Sequence, residues 1–218
     1  SVVAGGAGFI SINLIPRLIS QGNFVIVFDN LSRGRKQFLE ELPDFCHESL
    51  HFINVDCADE SKLQAAFNHA RSFGTVKEVW HFAANSDIPS GVLNPDIDLK
   101  DTFLSTFFLL KMMKLYEVDT FHFASSSAVY GDLGGQVLTE DTGPLLPISN
   151  YGAMKLASEA IASAGAESFL KRLNIFRFPN VVGVPATHGV ILDFIDKLRQ
   201  NPEVLHVLGD GSQQKSYL

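Results

Sequence analysis

Short apolar runs alternate with amphipathic stretches along most of the chain. Residues 1–4 read as a strand, 5–8 as a glycine turn and 9–21 as a helix. Residues 24–28 (FVIVF) form a continuous apolar run, the pattern of a strand buried on both faces. A third strand covers 51–55. The helix after it, 60–73, has apolar positions at Leu63, Ala66, Phe67 and Ala70. The pattern then predicts a strand over 78–83, a long helix over 98–116, a strand over 120–124, a second long helix over 150–170 and a last strand over 173–177. Strands separated by helices call for right-handed crossovers and a parallel sheet covered on both faces, an α/β fold. After about Pro179 the pattern changes. A shorter helix covers 190–200, and 204–208 and 213–218 flank a Gly-Asp-Gly-Ser turn, a hairpin signal. The expected organisation is one α/β domain over 1–178 and the beginning of a smaller C-terminal lobe over 179–218.

The 218 residues are 46% hydrophobic and 19% charged, a globular balance, and the net charge is −7. No basic cluster is present to grip phosphates at scale, so a nucleic-acid partner is not expected. Two cysteines, Cys46 and Cys57, fit a reducing compartment better than a disulfide scaffold. Ser1 opens directly into a strand and a glycine turn, and no apolar run is long enough to span a bilayer. These features predict a cytoplasmic protein with no signal peptide and no membrane partner. The seven histidines show no metal-ligand spacing, so no metal is expected. His47 and His51 read as solvent-exposed, and His81 and His122, inside strands, as core. Nothing near Cys57 lowers its thiol pKa visibly. Phe103, Phe107 and Phe108 read as packing.

Candidate chemistry begins at Gly5, Gly6 and Gly8, between the first strand and the first helix. A diphosphate needs bare backbone there, so that amide N–H groups and the positive helix end reach it. A tight strand-to-helix connection would need the same glycines. Asp29, ending the second strand before Asn30, adds the spacing of the dinucleotide fingerprint. A carboxylate there accepts hydrogen bonds from an adenosine ribose and repels a 2′-phosphate, which favours NAD over NADP. Arg33, Arg35 and Lys36 could offset that repulsion, although a solvated loop is the better explanation for them. Asp56, before Cys57, is placed either to bond an adenine amino group or to cap the next helix. Phe82, Ala83 and Ala84 end the fourth strand with little bulk, as a cofactor lying across the strand ends requires.

Tyr151 and Lys155 are four apart on a helix and share one face. A tyrosine with an ordinary pKa of about 10 becomes a base near neutrality only after a shift of roughly 3 units. A close ammonium and a cationic ring would both act in that direction. A serine cluster, Ser125–Ser126–Ser127, ends the fifth strand.

In these motifs the chain resembles the extended short-chain dehydrogenase/reductase family, and within it the sugar-nucleotide epimerases and dehydratases. The matching segments are GGAGFIS from Gly5 through Phe9 and Ile10 to Ser11, FDN at Phe28, HFAAN at His81, SSSAVYG at Ser125, YGAMK at Tyr151 and RFPNVVG at Arg177. The resemblance implies a Rossmann-type doubly wound parallel sheet, NAD as cofactor and a catalytic set of Ser126, Tyr151 and Lys155. Ser126 would hydrogen-bond the reacting sugar oxygen and Tyr151 would remove its proton. Lys155 would hold the nicotinamide ribose and lower the tyrosine pKa. Asn180 and Lys215 match family positions that contact the nucleotide sugar, although an exposed hairpin lysine explains Lys215 as well.

Dehydratases of the family carry Asp-Glu after the catalytic residue, and the decarboxylases carry a glutamate; here Ser127 and Ala128 stand there. The resemblance is therefore greatest to the 4-epimerases of UDP-glucose and UDP-galactose, which pass through a transient 4-keto sugar. Another reaction of the family and a catalytically idle NAD-binding protein remain as alternatives. The intact Ser126, Tyr151 and Lys155 favour an enzyme. Two departures stand out. Ser11 replaces the family's third glycine, and Lys100–Asp101–Thr102 occupies a stretch where an asparagine is usual. The family continues well past Leu218, so the second lobe reads as truncated.

The 98–116 helix is apolar on almost every side, whereas a surface helix needs only one stripe. Ala153, Ala157, Ala160 and Ala164 give the 150–170 helix a surface that another helix can approach closely. Together with the family's habit of pairing through these helices, this predicts a homodimer. The alternative is that another part of the same chain covers the excess face.

Overall fold

The computed structural model describes residues 1–186, 189–211, 214 and 216–218. These form two units, Ser1–Arg177 and Phe178–Leu218. The chain runs through β1 (Val2–Ala4), α1 (Phe9–Ser20), β2 (Val25–Asp29), α2 (Lys36–Glu40), α3 (Asp44–Glu48), β3 (Leu50–Asn54), α4 (Glu60–Arg71) and β4 (Glu78–His81). It continues through α5 (Ile88–Leu93), α6 (Pro95–Asp98), a π-helical turn (Leu99–Leu104), α7 (Ser105–Leu115), β5 (Thr120–Ser126), a 3₁₀ turn (Ser127–Tyr130), α8 (Asn150–Ala166), β6 (Arg172–Phe178) and α9 (Val190–Gln200).

The six strands make one sheet in the order β3-β2-β1-β4-β5-β6. Pairing is parallel at β1–β2, β1–β4, β2–β3 and β4–β5, with Val3 opposite both Val27 and Trp80. This is the doubly wound Rossmann order. The chain reverses direction across the sheet between β1 and β4, and a crevice opens there at the carboxyl ends of the strands.

Period-2 alternation inside the buried strands builds the two layers. Val2, Ala4, Ile26, Phe28, Phe121 and Phe123 pack with Leu63 and Phe67 of α4, Leu109 and Met113 of α7 and Ala162 of α8. Val3, Val25 and Val27 face the other way, onto Ile12, Ile15 and Leu18 of α1 and Phe38 of α2. Burying one such Leu or Phe contributes about 1.5–3 kcal/mol.

The strands and long helices lie where the apolar pattern puts them, with shifts of one to four residues at their ends. The short α2, α3 and α5 are additional, because five or six residues hold too few turns for a 3.6 period to show. The expected 98–116 helix is not one α-helix. Ser105 Oγ donates to Asp101 O at 2.7 Å, and Thr106 Oγ1 donates to Thr102 O at 2.9 Å. Hydroxyls that compete for backbone carbonyls in this way loosen the regular ladder, and a π turn results. The predicted strand at 204–208 is also absent. Tyr217 instead makes an isolated parallel bridge with Asn180, and Val182 N donates to Leu218 O at 2.9 Å. His51 is half-buried rather than exposed, its ring 4.4 Å from that of Phe73.

Candidate active site

The glycine turn is held from both neighbouring strands. Gly5 N donates to Phe28 O at 2.8 Å, while Phe82 N and Ala83 N both donate to Ala4 O. Gly5 has φ +76°, and a Cβ there would come within 2.5 Å of Ala83 N, so only glycine fits. Gly8 precedes α1 and supplies no side-chain cap. The amides of the first turn, Phe9 and Ile10 among them, have no partner within the helix, which is the arrangement an anion needs. Ser11 is buried and donates its hydroxyl to Gly5 O at 2.8 Å. The departure from a third glycine thus ties the helix to the turn.

Asp29 ends β2, buried, and its two carboxylate oxygens take N–H groups from Ala7 at 3.0 Å and Leu31 at 2.8 Å. Burial pushes this carboxyl above its ordinary value, and the two N–H groups pull it back in part. Asn30 is exposed, and its side chain accepts from Ser32 N. The nearby cations are engaged elsewhere: Arg33 with Asp87 at 2.8 Å, Arg35 over the Phe38 ring and Lys36 with Glu40. Asp56 does not cap α4, a task that falls to Asp59. Its carboxylate accepts from Ala58 N and pairs with Lys100 at 2.9 Å. Cys57 is buried, and its thiol is pushed far up by burial and by the Asp29 and Asp56 carboxylates.

Ser126 ends β5 and Tyr151 opens α8, where Ser149 caps the helix by accepting from Gly152 N. Ser126 lies near enough to the Tyr151 phenol for its hydroxyl to favour the phenolate. Ser126 Oγ accepts from Ala128 N at 3.2 Å. Lys155, one turn along α8, is buried with its Nζ donating to Ala124 O at 2.6 Å. It lies 4.8 Å from the Phe123 ring and 5.8 Å from the Tyr151 ring. Burial lowers its pKa to about 7, with Glu159 acting the other way. Tyr151 is pushed up to about 12, mainly by burial and further by Asp98, against the Ser126 hydroxyl. The lowering of the tyrosine expected from Lys155 is therefore not delivered by the protein's own groups, because desolvation of the phenolate outweighs them.

A buried polar framework that the sequence reading did not single out surrounds this set. Glu159 accepts from Ser125 Oγ, from Arg177 Nε at 3.0 Å and from Arg177 NH2 at 2.8 Å. Arg177 also reaches Tyr130 OH at 3.2 Å and Glu140 O at 3.1 Å. On the other side, Asn85 Nδ2 donates to Asp98 Oδ1 at 2.8 Å and Asn85 N donates to Thr102 Oγ1 at 3.2 Å. The threonine in the asparagine's place thus braces the strand-end loop. One sequence signal for Glu159 existed: a lone carboxylate four residues after Lys155, in a stretch of small residues.

The first unit therefore gathers Gly5, Gly8, Phe9, Ile10, Asp29, Asn30, Asp56, Cys57, Phe82, Ala83, Ala84, Ser126, Tyr151 and Lys155 at the carboxyl side of one sheet. Asn180 belongs to the second unit, exposed, with its Nδ2 donating to Ser216 O at 3.0 Å. Lys215 lies outside the described residues.

A bare glycine turn and an acidic residue ending β2 are the marks of a dinucleotide-binding fold, and Ser126, Tyr151 and Lys155 lie on the same unit. The model of the NAD dependent epimerase/dehydratase family matches residues 1–218. The chain belongs to that family, whose cofactor is NAD. It is 39% identical to a solved UDP-galactose 4-epimerase (TM-score 0.83, all of this chain and 66% of that one). It is 29% identical to the Thermus thermophilus UDP-glucose 4-epimerase solved in complex with NAD (TM-score 0.84, all of this chain and 69% of that one). The UDP-glucose 4-epimerase of Halalkalibacterium halodurans is 29% identical over 206 residues, which are 94% of this chain and 58% of that protein. The chain thus spans about three fifths to two thirds of the length of these relatives.

Proposed function

We propose that the protein epimerises a nucleotide sugar of the UDP-glucose/UDP-galactose type at C4, through a transient 4-keto sugar, using NAD. The observation that carries this reading is Tyr151 one helical turn from the buried Lys155 on α8, its ring 5.8 Å from Lys155 Nζ, with Ser126 ending the neighbouring β5. Its kinship with named 4-epimerases, and the absence of a carboxylate at Ser127 and Ala128, favour epimerisation over water loss or decarboxylation.

The residues fit NAD. The Gly5 backbone lies too close to Ala83 for any side chain, and the uncapped start of α1 offers amides to the diphosphate. The Asp29 carboxylate is held by two backbone amides and keeps lone pairs for the ribose diol. NAD, when bound, supplies the two-electron acceptor and donor and a positive ring charge beside the phenol. Tyr151 takes the 4-hydroxyl proton as the alcohol is oxidised and returns it when the ketone is reduced from the other face. Ser126 donates its proton to the same sugar oxygen. Lys155 binds the nicotinamide ribose and offsets the phenolate charge.

In this reading residues 1–178 bind NAD and 179–218 begin the substrate lobe, where Asn180 and Lys215 contact the nucleotide sugar. The protein works as a cytoplasmic homodimer. Both cysteines are free thiols, and among the described residues no helix is long and apolar enough to cross a membrane. Incubating the NAD-loaded protein with UDP-galactose should yield UDP-glucose, read by chromatography. Unchanged UDP-galactose would overturn the reading.

A further inference from the structure

The Glu159–Arg177 pair is bidentate, with Glu159 buried and Arg177 half-buried, and its contacts converge on the catalytic set. Glu159 lies one turn after Lys155 on α8 and bonds Ser125, the neighbour of Ser126. Lys155 Nζ bonds the carbonyl of Ala124, the next residue back along β5. The Lys155 ammonium and the Glu159 carboxylate of α8 thus clasp two consecutive residues of β5, Ala124 and Ser125. As a stabilising device the pair is a poor choice, since a buried ion pair is often no better than apolar packing. Its charge is asymmetrically placed. Glu159 sits buried on the same face of α8 as Lys155, one turn along, whereas Arg177 approaches Glu159 from β6 and spends its other donors on Tyr130 and Glu140.

We propose that Glu159 is a positioning residue of this site: it fixes the end of β5 against α8 and holds the Lys155 side chain as an ammonium, with Arg177 setting how strongly that carboxylate is felt. The other groups around Lys155 do not do this. From β5 it meets the Ala124 carbonyl and the Phe123 ring, and from α8 the Tyr151 ring. His81 of β4 is kept neutral by burial and by Lys155 itself. The Asp98 carboxylate, at the end of α6, is engaged by Asn85 and acts on Tyr151.

The proposal rests on Lys155 being the lysine of the catalytic set, but its test does not need turnover. The full chain, with lysine labelled at the ε-carbon, is titrated by NMR with and without NAD, and the Lys155 signal is identified by its loss in Lys155→Met. Glu159→Gln keeps the shape and removes the charge; it should move the Lys155 titration down by about one pH unit or more. Arg177→Gln unmasks the carboxylate and should move it up. An unmoved Lys155 titration in Glu159→Gln, or shifts of the same sign in both variants, would overturn the proposal. If Glu159→Gln does not fold, Arg177→Gln is compared with the double variant, which must titrate lower. Absence of epimerase activity in the wild type would instead overturn the proposed function and leave this titration interpretable.

Discussion

Gly91 packs with its Cα directly against the Asp98 carboxylate: a methyl group on residue 91 would overlap Asp98 Oδ2. That oxygen is buried and has no hydrogen-bond partner, while Oδ1 is held by Asn85. The contact clamps α5 to the end of α6, and Asn150, beside Tyr151, donates to Gly91 O at 2.9 Å. Gly91→Ala must push Asp98 or α5 aside, at a cost of about 1–3 kcal/mol, as overpacking does. Turnover should fall with it, because the same shift disturbs the start of α8. An unchanged melting temperature would show that α5 gives way freely.

Cofactor choice turns on Asp29. Its carboxylate is fixed by Ala7 N and Leu31 N, and the three nearby cations lie in exposed contacts with other side chains. Asp29→Ala removes both the ribose acceptor and the repulsion. NAD affinity should drop roughly 10–100-fold, as loss of a charged hydrogen-bond partner does, while NADP affinity changes little. Calorimetric titration of both dinucleotides checks this. A wild-type protein that binds NADP at least as tightly as NAD would refute the assignment.

Proton transfer is assigned to the Tyr151 oxygen alone. Tyr151→Phe should lower turnover about 10²–10⁴-fold, the range of a lost general base, and leave NAD affinity nearly intact. Ser126→Ala should cost less, since the phenol remains. Steady-state rates with UDP-galactose alongside NAD titration separate the two effects. Near-normal turnover in Tyr151→Phe would eliminate the mechanism.

The residues whose role is set by local spacing were legible in the sequence. Five apolar residues before Asp29 mark a buried strand, and a Tyr and Lys four apart share a helix face whatever surrounds them. What was not legible depends on contacts across the fold. Glu159 reads as one charge on a helix until β6 brings Arg177, eighteen residues later, onto it. The π turn carries a helical apolar pattern, and only the hydroxyls of Ser105 and Thr106 reveal where its ladder is diverted. Spacing shows the ammonium near Tyr151 but not the burial that opposes it within the protein itself.

Lys155 makes stability depend on pH in a definite direction. Its pKa is about 7 in the fold, against 10.5 in the unfolded chain. Between those values the unfolded state holds more protons, so stability rises with pH across the window and is lost as pH falls through about 7. Tyr151, raised to about 12 from 10, contributes stability that is present below pH 10 and lost as pH climbs to 12. Lys155→Met should therefore be inactive yet more stable than wild type near pH 6.5, by up to about 4–5 kcal/mol at about 1.4 kcal/mol per pH unit between the two values. The advantage should shrink towards pH 10. Urea unfolding of both proteins at several pH values isolates the term, because all other titrating groups are common to the two. A gap that does not depend on pH would contradict it.

The last prediction concerns the second face of α7. Leu109, Leu110, Met112 and Met113 are buried in the core, yet Phe107 is 43% exposed and Leu115 55%. Phe103 and Phe108 flank Phe107 with ring centroids 6.4 and 5.6 Å away, giving a contiguous aromatic ridge. On α8, Ala160 and Ala164 are exposed and small, so a facing helix can come close. An isologous four-helix contact across a two-fold axis would bury both features at once. Phe107→Glu places a charge on the ridge without entering the core, so the subunit should fold with a near-native melting profile while the dimer dissociates. Light scattering at micromolar concentration reads the mass of both proteins. A wild-type monomer would refute the dimer, and a Phe107→Glu protein that stays dimeric would move the contact off α7. If the interface also orders α8, the monomeric variant should lose turnover together with its partner, because Tyr151 and Lys155 lie on that helix.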